Sequence, residues 1–225
     1  MTFLFRDTVP VGAGTVSVAF TDRRLDLGDL APDEVRAAGL AEATGAAPYL
    51  MHQVHGVAVH EVEDAAEPTP DADALLTRRP GIALLARAAD CVPVLLVADN
   101  GVVGAVHAGR EGVRRGVVIA TVDRMRELGA GGIRGWIGPH VCGGCYEVPE
   151  DMRAEVAAVV PAAAATTRWG TPALDLGAGV RAQLQESEVA TTEVGGCTRE
   201  DERLHSHRRD GADAGRLAGV VWRAA

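Results

Sequence analysis

Three side chains in this sequence stand where a strand-like run meets a turn, and together they carry the donors of a metal centre. His55 lies in His-Gln-Val-His-Gly with Gly56 behind it. Cys91 lies in Ala-Asp-Cys-Val-Pro at the entry to an apolar run, and His107 closes the run Val102 to Val106 ahead of Ala108-Gly109. Strand ends beside small residues are where side chains and backbone become accessible to a ligand. Zinc takes nitrogen and sulfur donors tetrahedrally, so two imidazoles and a thiolate leave a fourth place for water. Zinc lowers the pKa of that water to about 7. Residue type alone leaves a plainer reading open: a cysteine opening a buried strand is commonly a small core residue, and histidines far apart in sequence need not meet.

Other constellations are less specific. Cys142-Gly-Gly-Cys145 is half a zinc site or a redox pair, and the chain has no second such pair. Pro139 ahead and Tyr146-Glu147-Val148 behind make it a structural turn rather than a thioredoxin-like motif. Cys197 and His205 are the remaining partners, at a spacing unlike a zinc finger. His205-Ser-His207 suggests copper, but seven histidines are few for a multicopper centre. Arg208 and Arg209 suit a phosphate or carboxylate, or else a solvated basic loop. Arg23, after the strand-like run 15–20, either orients an anion or lies on the surface. Asp71 and Asp73 are an acid/base candidate, because residues two apart in an extended chain share a face. A turn or cap role for either is the alternative.

Composition narrows the classes. All 22 basic residues are arginine, which rules out a Schiff-base, Walker A or kinase lysine. Serine occurs only at 17, 187 and 206, and none lies in a G-x-S-x-G elbow. The formal charge of −9 argues against nucleic acid as the partner. Hydrophobic residues at 47% supply a core. No signal-like start and no long uncharged apolar stretch occur, so the expectation is a cytoplasmic protein with reduced thiols and no membrane span.

The elements that must position these residues can be read from pattern. Strands are expected over 15–20, 57–62, 82–86, 92–98, 102–106, 134–137, 189–194 and 217–222. Asn100-Gly101 signals a hairpin. Helices are expected over 32–44, 111–128, 149–160 and 174–184, with Gly129 to Gly132 stopping the second. Residues 65–70 read as an acidic loop. Strands and helices mix without regular βαβ alternation, which indicates a mixed-sheet α/β domain spanning 1–225.

The ordered motifs are Ala-Phe-Thr-Asp-Arg (19–23), Gln-Val-His-Gly (53–56), Asp-Ala-Asp-Ala-Leu (71–75), Ala-Asp-Cys-Val-Pro-Val-Leu-Leu (89–96) and Ala-Val-His-Ala-Gly (105–109). They continue with Ile-Gly-Pro-His (137–140), Cys-Tyr-Glu-Val (145–148), Leu-Asp-Leu (174–176), Cys-Thr (197–198) and Ser-His-Arg-Arg-Asp-Gly (206–211). Across nearly the whole chain this set resembles the laccase-domain family, also described as multicopper polyphenol oxidase-like or peptidoglycan-editing-factor proteins. The resemblance implies a single α/β domain of layered mixed β-sheets flanked by helices. It implies a zinc site, with copper as the alternative, on His55, Cys91 and His107, and anion contacts on Arg23 and on Arg208 or Arg209. Two departures stand out. Arg23 runs almost directly into Leu25-Asp-Leu-Gly-Asp, where the family has a longer loop and an asparagine. Arg110 stands where the family has tryptophan after His-Ala-Gly.

The activity implied by that resemblance is purine nucleoside phosphorolysis with adenosine deaminase capability. The substrates would be adenosine, inosine or methylthioadenosine, together with phosphate. Asp73 or Glu147 is the candidate for proton traffic in deamination, with Asp73 placed beside the substrate. Three other readings are open on the same residues. One is a cysteine hydrolase or amidase acting on peptidoglycan precursors, with Cys91 as nucleophile and His107 as base. The others are copper-dependent phenol oxidation and an inactive metal-binding module.

Overall fold

The computed structural model describes residues 3–12, 14–28 and 33–224. In chain order the strands and helices are β1 (Phe5–Val11), β2 (Gly14–Phe20), α1 (Asp33–Thr44), β3 (Ala47–Tyr49), β4 (Val59–Glu61), β5 (Ala74–Thr77), β6 (Ile82–Ala88), β7 (Val92–Val97) and β8 (Val103–Ala108). They continue with α2 (Arg110–Arg115), α3 (Val117–Glu127), β9 (Arg134–Ile137), α4 (Glu150–Ala157), β10 (Ala164–Thr166), β11 (Pro172–Leu174), α5 (Leu176–Glu186), β12 (Ala190–Glu193), α6 (His207–Asp210) and β13 (Leu217–Arg223).

Two mixed sheets form the body. One has the order β1-β2-β13-β6-β3, the other β12-β9-β7-β8-β5-β4, and β10 and β11 make a separate ribbon. Strand alternation sets the layers. On β7, Leu95 and Val97 join Phe20, Leu84 and Val221 in a core between the two sheets. Val94 and Leu96 face the other way and pack with Val117, Val122, Val180 and Leu184 of α3 and α5. Beyond the five-stranded sheet, Leu85, Val220 and Trp222 pack with Leu40 of α1. The result is helix, sheet, sheet, helix. A strand buried on both faces needs an unbroken apolar run, which is what Val-Pro-Val-Leu-Leu-Val of β7 supplies.

The α/β reading with layered mixed sheets and flanking helices holds, with differences in detail. The helix expected over 111–128 is two helices, because Gly116 adopts φ +81 and caps α2 through its N–H to Gly112 O and Val113 O. The strand expected over 57–62 covers only 59–61, and the helix expected over 149–160 ends at Ala157. The run 102–106 extends through His107 to Ala108. Strand β1 was not anticipated. Its alternate residues are exposed, and Arg6, Asp7 and Pro10 break the apolar signal. Pro32, in the expected helix start, lies outside the described residues.

Candidate metal centre

Register brings the site to one end of three neighbouring strands. In the pairing of β7 with β8, Val92 faces Ala108 and Pro93 faces His107. In the pairing of β5 with β8, Ala74 faces Val106. Cys91 immediately precedes β7, Asp73 immediately precedes β5, and His107 N donates to Asp73 O at 2.8 Å. Thus Cys91, His107 and Asp73 occupy one end of these strands. His107 alternates with Val106 and Ala108, which face the helices, so its ring turns to the opposite side.

His55 comes from a loop that Asp73 holds in place. The Asp73 carboxylate accepts from Val54 N (3.3 Å), His55 N (3.0 Å) and Gly56 N (2.6 Å). It also receives His107 Nδ1 at 2.8 Å. His55 itself has φ +59, a left-handed conformation that histidine adopts more readily than bulkier or β-branched residues do. Gln53 fastens the same loop to β6: its Nε2 donates to Arg87 O and its Oε1 accepts from Arg87 N, both at 2.8 Å. That amide takes the place of a strand neighbour.

His55, Cys91 and His107 each offer one ligand atom, and these atoms lie within 4.8 Å of one another. The two imidazoles meet edge to face with centroids 4.8 Å apart. Gly109 makes room: a Cβ there would stand 2.7 Å from His55 Cδ2 and 3.3 Å from Cys91 Sγ. Asp73 is ionised and only accepts, so His107 carries its proton on Nδ1 and leaves Nε2 for the centre. A metal-ligating histidine commonly donates its other N–H to a carboxylate. Two nitrogens and one sulfur at this spacing fit zinc with an open fourth position.

The electrostatics follow from the same contacts. Burial opposes ionisation of Cys91, but hydrogen bonds and positive charge from His107 and His55 prevail and lower its pKa to about 6. Burial likewise opposes charging of His107. Asp73 and the Cys91 thiolate outweigh it and raise its pKa to about 9. Burial would raise the Asp73 carboxyl, yet its hydrogen bonds from His107 and from the backbone of Gly56 and His55 hold it below the ordinary value. Without metal, Cys91 and His107 therefore form a thiolate–imidazolium pair at neutral pH.

The other candidates separate. Asp73 is fully buried and engaged by four donors, so it positions His107 and His55 instead of reaching substrate. Asp71 lies on the surface beside His52 at 3.5 Å, and the two aspartates do not form a pair. Arg208 is exposed, lies over the Tyr146 ring at 4.6 Å and donates to Glu147 O. Arg209 spends its guanidinium on Thr198 O, Asp201 O, Leu204 O and the Asp210 carboxylate, a structural role. Arg23 donates to Glu202 O at 3.0 Å and lines a cleft of about 600 Å³ with Asp22, Arg24 and Arg203. The trio is not part of that lining. Cys142 and Cys145 do form a turn. Cys197 joins them, whereas His205 lies near Asp26 at 3.9 Å.

Two residues at the site were not singled out from sequence. Asp90, at φ +97, accepts from Thr198 Oγ1 (2.6 Å), Ser206 Oγ (2.7 Å) and Arg208 N (2.6 Å). It thereby ties the residue before Cys91 to the late loop. An acid beside the cysteine at a strand start was the available signal. Tyr146 is the second. Burial raises its pKa, with a smaller push from the Cys91 thiolate, and the charges of Arg208 and Arg110 oppose the rise. Arg110 pairs with Glu111 at 2.9 Å.

Known proteins resemble this chain in sequence and in fold. The family model described as multi-copper polyphenol oxidoreductase laccase matches residues 23–224. The chain belongs to that family. It is 54% identical over 180 residues to a purine nucleoside phosphorylase of Streptomyces coelicolor, covering 76% of this chain and 73% of the relative. It is 46% identical to one from Streptomyces griseus, covering 96% and 97%. A crystal structure of a Neisseria meningitidis protein superposes with a TM-score of 0.86 at 28% identity over the whole of both chains. The YlmD protein of Geobacillus stearothermophilus gives 0.82 at 28% identity, covering 95% and 93%. Among the described residues no helix is long and apolar enough to cross a membrane.

Proposed function

We propose that this chain is a purine nucleoside phosphorylase whose zinc would be held by His55, Cys91 and His107, with adenosine deaminase capability at the same site. The observation that carries the reading is the convergence of those three donors, with His107 fixed by Asp73, in a chain 54% identical to a relative bearing that name. The substrates are adenosine, inosine and methylthioadenosine, and the cosubstrate is phosphate. The negative charge of the whole chain suits small molecules, not nucleic acid. We place the protein in the cytoplasm, where its four free cysteines stay reduced.

In phosphorolysis a phosphate oxygen bonds to C1′ as the bond from C1′ to the purine nitrogen breaks, and the purine leaves with the electron pair and gains a proton. Arg208, which lies over the Tyr146 ring, and Arg110, just after Gly109, are the cations assigned to orient the phosphate. Tyr146, its pKa raised above the ordinary value by burial, keeps its hydroxyl proton at neutral pH. Val54, 55% exposed next to His55, offers apolar surface to the base. Zinc held by His55, Cys91 and His107 would supply Lewis acidity. Asp73 keeps His107 and the 54–56 loop in the geometry this needs.

Product analysis of zinc-loaded protein with adenosine tests the proposal. Adenine and ribose 1-phosphate are expected only when phosphate is present, and inosine without phosphate marks the deaminase branch. Failure to form either product overturns the reading.

A second reading has its own support. Cys91, His107 and Asp73 also form a nucleophile, base and orienting acid, as a cysteine hydrolase or amidase requires. Amide cleavage by the zinc-free protein, blocked by alkylation of Cys91, would favour it.

A further inference from the structure

A second set of ligand atoms lies outside the centre described above. The sulfurs of Cys142, Cys145 and Cys197 and a carboxylate oxygen of Glu200 are all within 4.8 Å of one another. All three cysteines are free thiols. We propose that these four residues form a second, structural zinc site that clips together the two loops flanking the first centre.

Zinc closes its structural sites with four protein donors, thiolates above all, and three sulfurs each about 2.3 Å from one ion lie about 3.8 Å apart. The observed span accommodates that shell with little movement. The local fold prepares it. Cys142 O accepts from Cys145 N at 2.9 Å and Tyr146 N at 3.0 Å, a turn that brings both sulfurs of the pair to one side. Gly143 and Gly144 permit the turn to pack, since a Cβ at Gly143 would stand 2.8 Å from Asp175 Cβ. The third sulfur arrives from the loop after β12. Thr198 N donates to His140 O at 3.1 Å, and Cys142 N points at Cys197 Sγ at 3.4 Å. Three thiolates and a carboxylate around zinc leave net negative charge, and two cations stand by to meet it. Arg168 pairs with Glu200 and approaches Cys142 Sγ at 4.0 Å, while Arg199 donates to Cys145 O at 3.1 Å. A disulfide would use two of the sulfurs and strand the third; a soft cation uses all of them.

The clip has a clear mechanical consequence. Cys145 precedes Tyr146, whose ring lies under Arg208. Cys197 precedes Thr198, whose hydroxyl bonds Asp90, the neighbour of Cys91. One ion would therefore brace both walls of the first centre.

Metal counting on the full chain tests this. Protein loaded with zinc under reductant and then desalted is expected to hold two zinc ions per chain. The variant His107→Ala is expected to hold one, and X-ray absorption at its zinc edge should fit three sulfurs at about 2.3 Å and one lighter donor. The double variant Cys142→Ser/Cys197→Ser should also hold one, bound by a single sulfur. Should that variant fail to fold, the first two proteins carry the test alone. One zinc per wild-type chain with none left in His107→Ala overturns the proposal. So does a one-sulfur fit in His107→Ala, or a disulfide among these cysteines in the zinc-loaded chain.

Discussion

Burying an aspartate whole costs several kcal/mol unless its charge is met, and Asp73 is met by His107 and three backbone N–H groups. Asp73→Asn replaces one acceptor oxygen with a donor facing other donors. We expect a loss of about 3–5 kcal/mol of stability and a 10–100-fold fall in metal affinity, read by competition with a chelator. The pH dependence has a definite sign. The folded-state pKa of Asp73 lies below the unfolded value of about 3.9. Its contribution is thus fully present above that value and is lost as pH falls through the folded one. Melting temperatures of wild type and Asp73→Asn should converge as pH drops below about 4; a gap that persists unchanged would contradict the assignment. Cys91 gives a second residue-scale test. In metal-free protein its alkylation rate should rise around pH 6 and level off near neutrality. A rise only above pH 8 would mean that His107 and His55 do not stabilise the thiolate. Which residues could do this was legible in the sequence for His55, Cys91 and His107, because donor type, flanking glycines and strand ends coincide. The role of Asp73 was not legible. Its partners are backbone groups of a distant loop, and backbone groups leave no mark on sequence.

At the scale of elements, two glycines separate space from backbone conformation. Gly109 has ordinary φ of −78 but no room, so Gly109→Ala should displace His55. A reduction in metal affinity of at least tenfold is expected, with the fold retained, by chelator titration and circular dichroism. Gly116 has room, its nearest neighbour being Ile119 at 3.8 Å, but φ +81. Gly116→Ala should cost about 1 kcal/mol or more, lowering Tm by about 2–4 °C without altering metal content. Equal effects of the two substitutions on metal binding would refute this distinction. The same glycine shows where pattern reading stops. Apolar spacing from Val113 to Leu128 suits one helix, and only the left-handed turn at Gly116 divides it. Strands β5 and β3 were missed because four and three residues are too few for periodicity to register. The long runs of β6, β7 and β13, buried over nearly their whole length, declared themselves.

For the whole molecule, the order of strands makes the end of the described chain central. β13 lies between β2 and β6 with registers across both neighbours, and its Val220 and Trp222 fill the core beneath α1 while Val221 fills the one between the sheets. Removing residues 217–225 should split the five-stranded sheet and abolish cooperative unfolding, observed by calorimetry. A truncated chain that still melts in one sharp transition would show that the sheets fold independently of this strand. The layering was legible as a mixed α/β arrangement. The sheet order was not, since it depends on pairings between segments as distant as β2 and β13. The site inherits its precision from that layering, for Cys91, Asp73 and His107 sit at one end of strands packed on both faces.

The proposed function requires one constellation to hold metal and perform turnover. The direct measurement is phosphate-dependent cleavage of adenosine by zinc-loaded wild type and His107→Ala, with zinc content determined on the same samples. Ribose 1-phosphate is expected from the wild type alone, with the variant losing the metal of this centre and all product formation together. Wild-type rates from a His107→Ala protein that lacks that metal would contradict it.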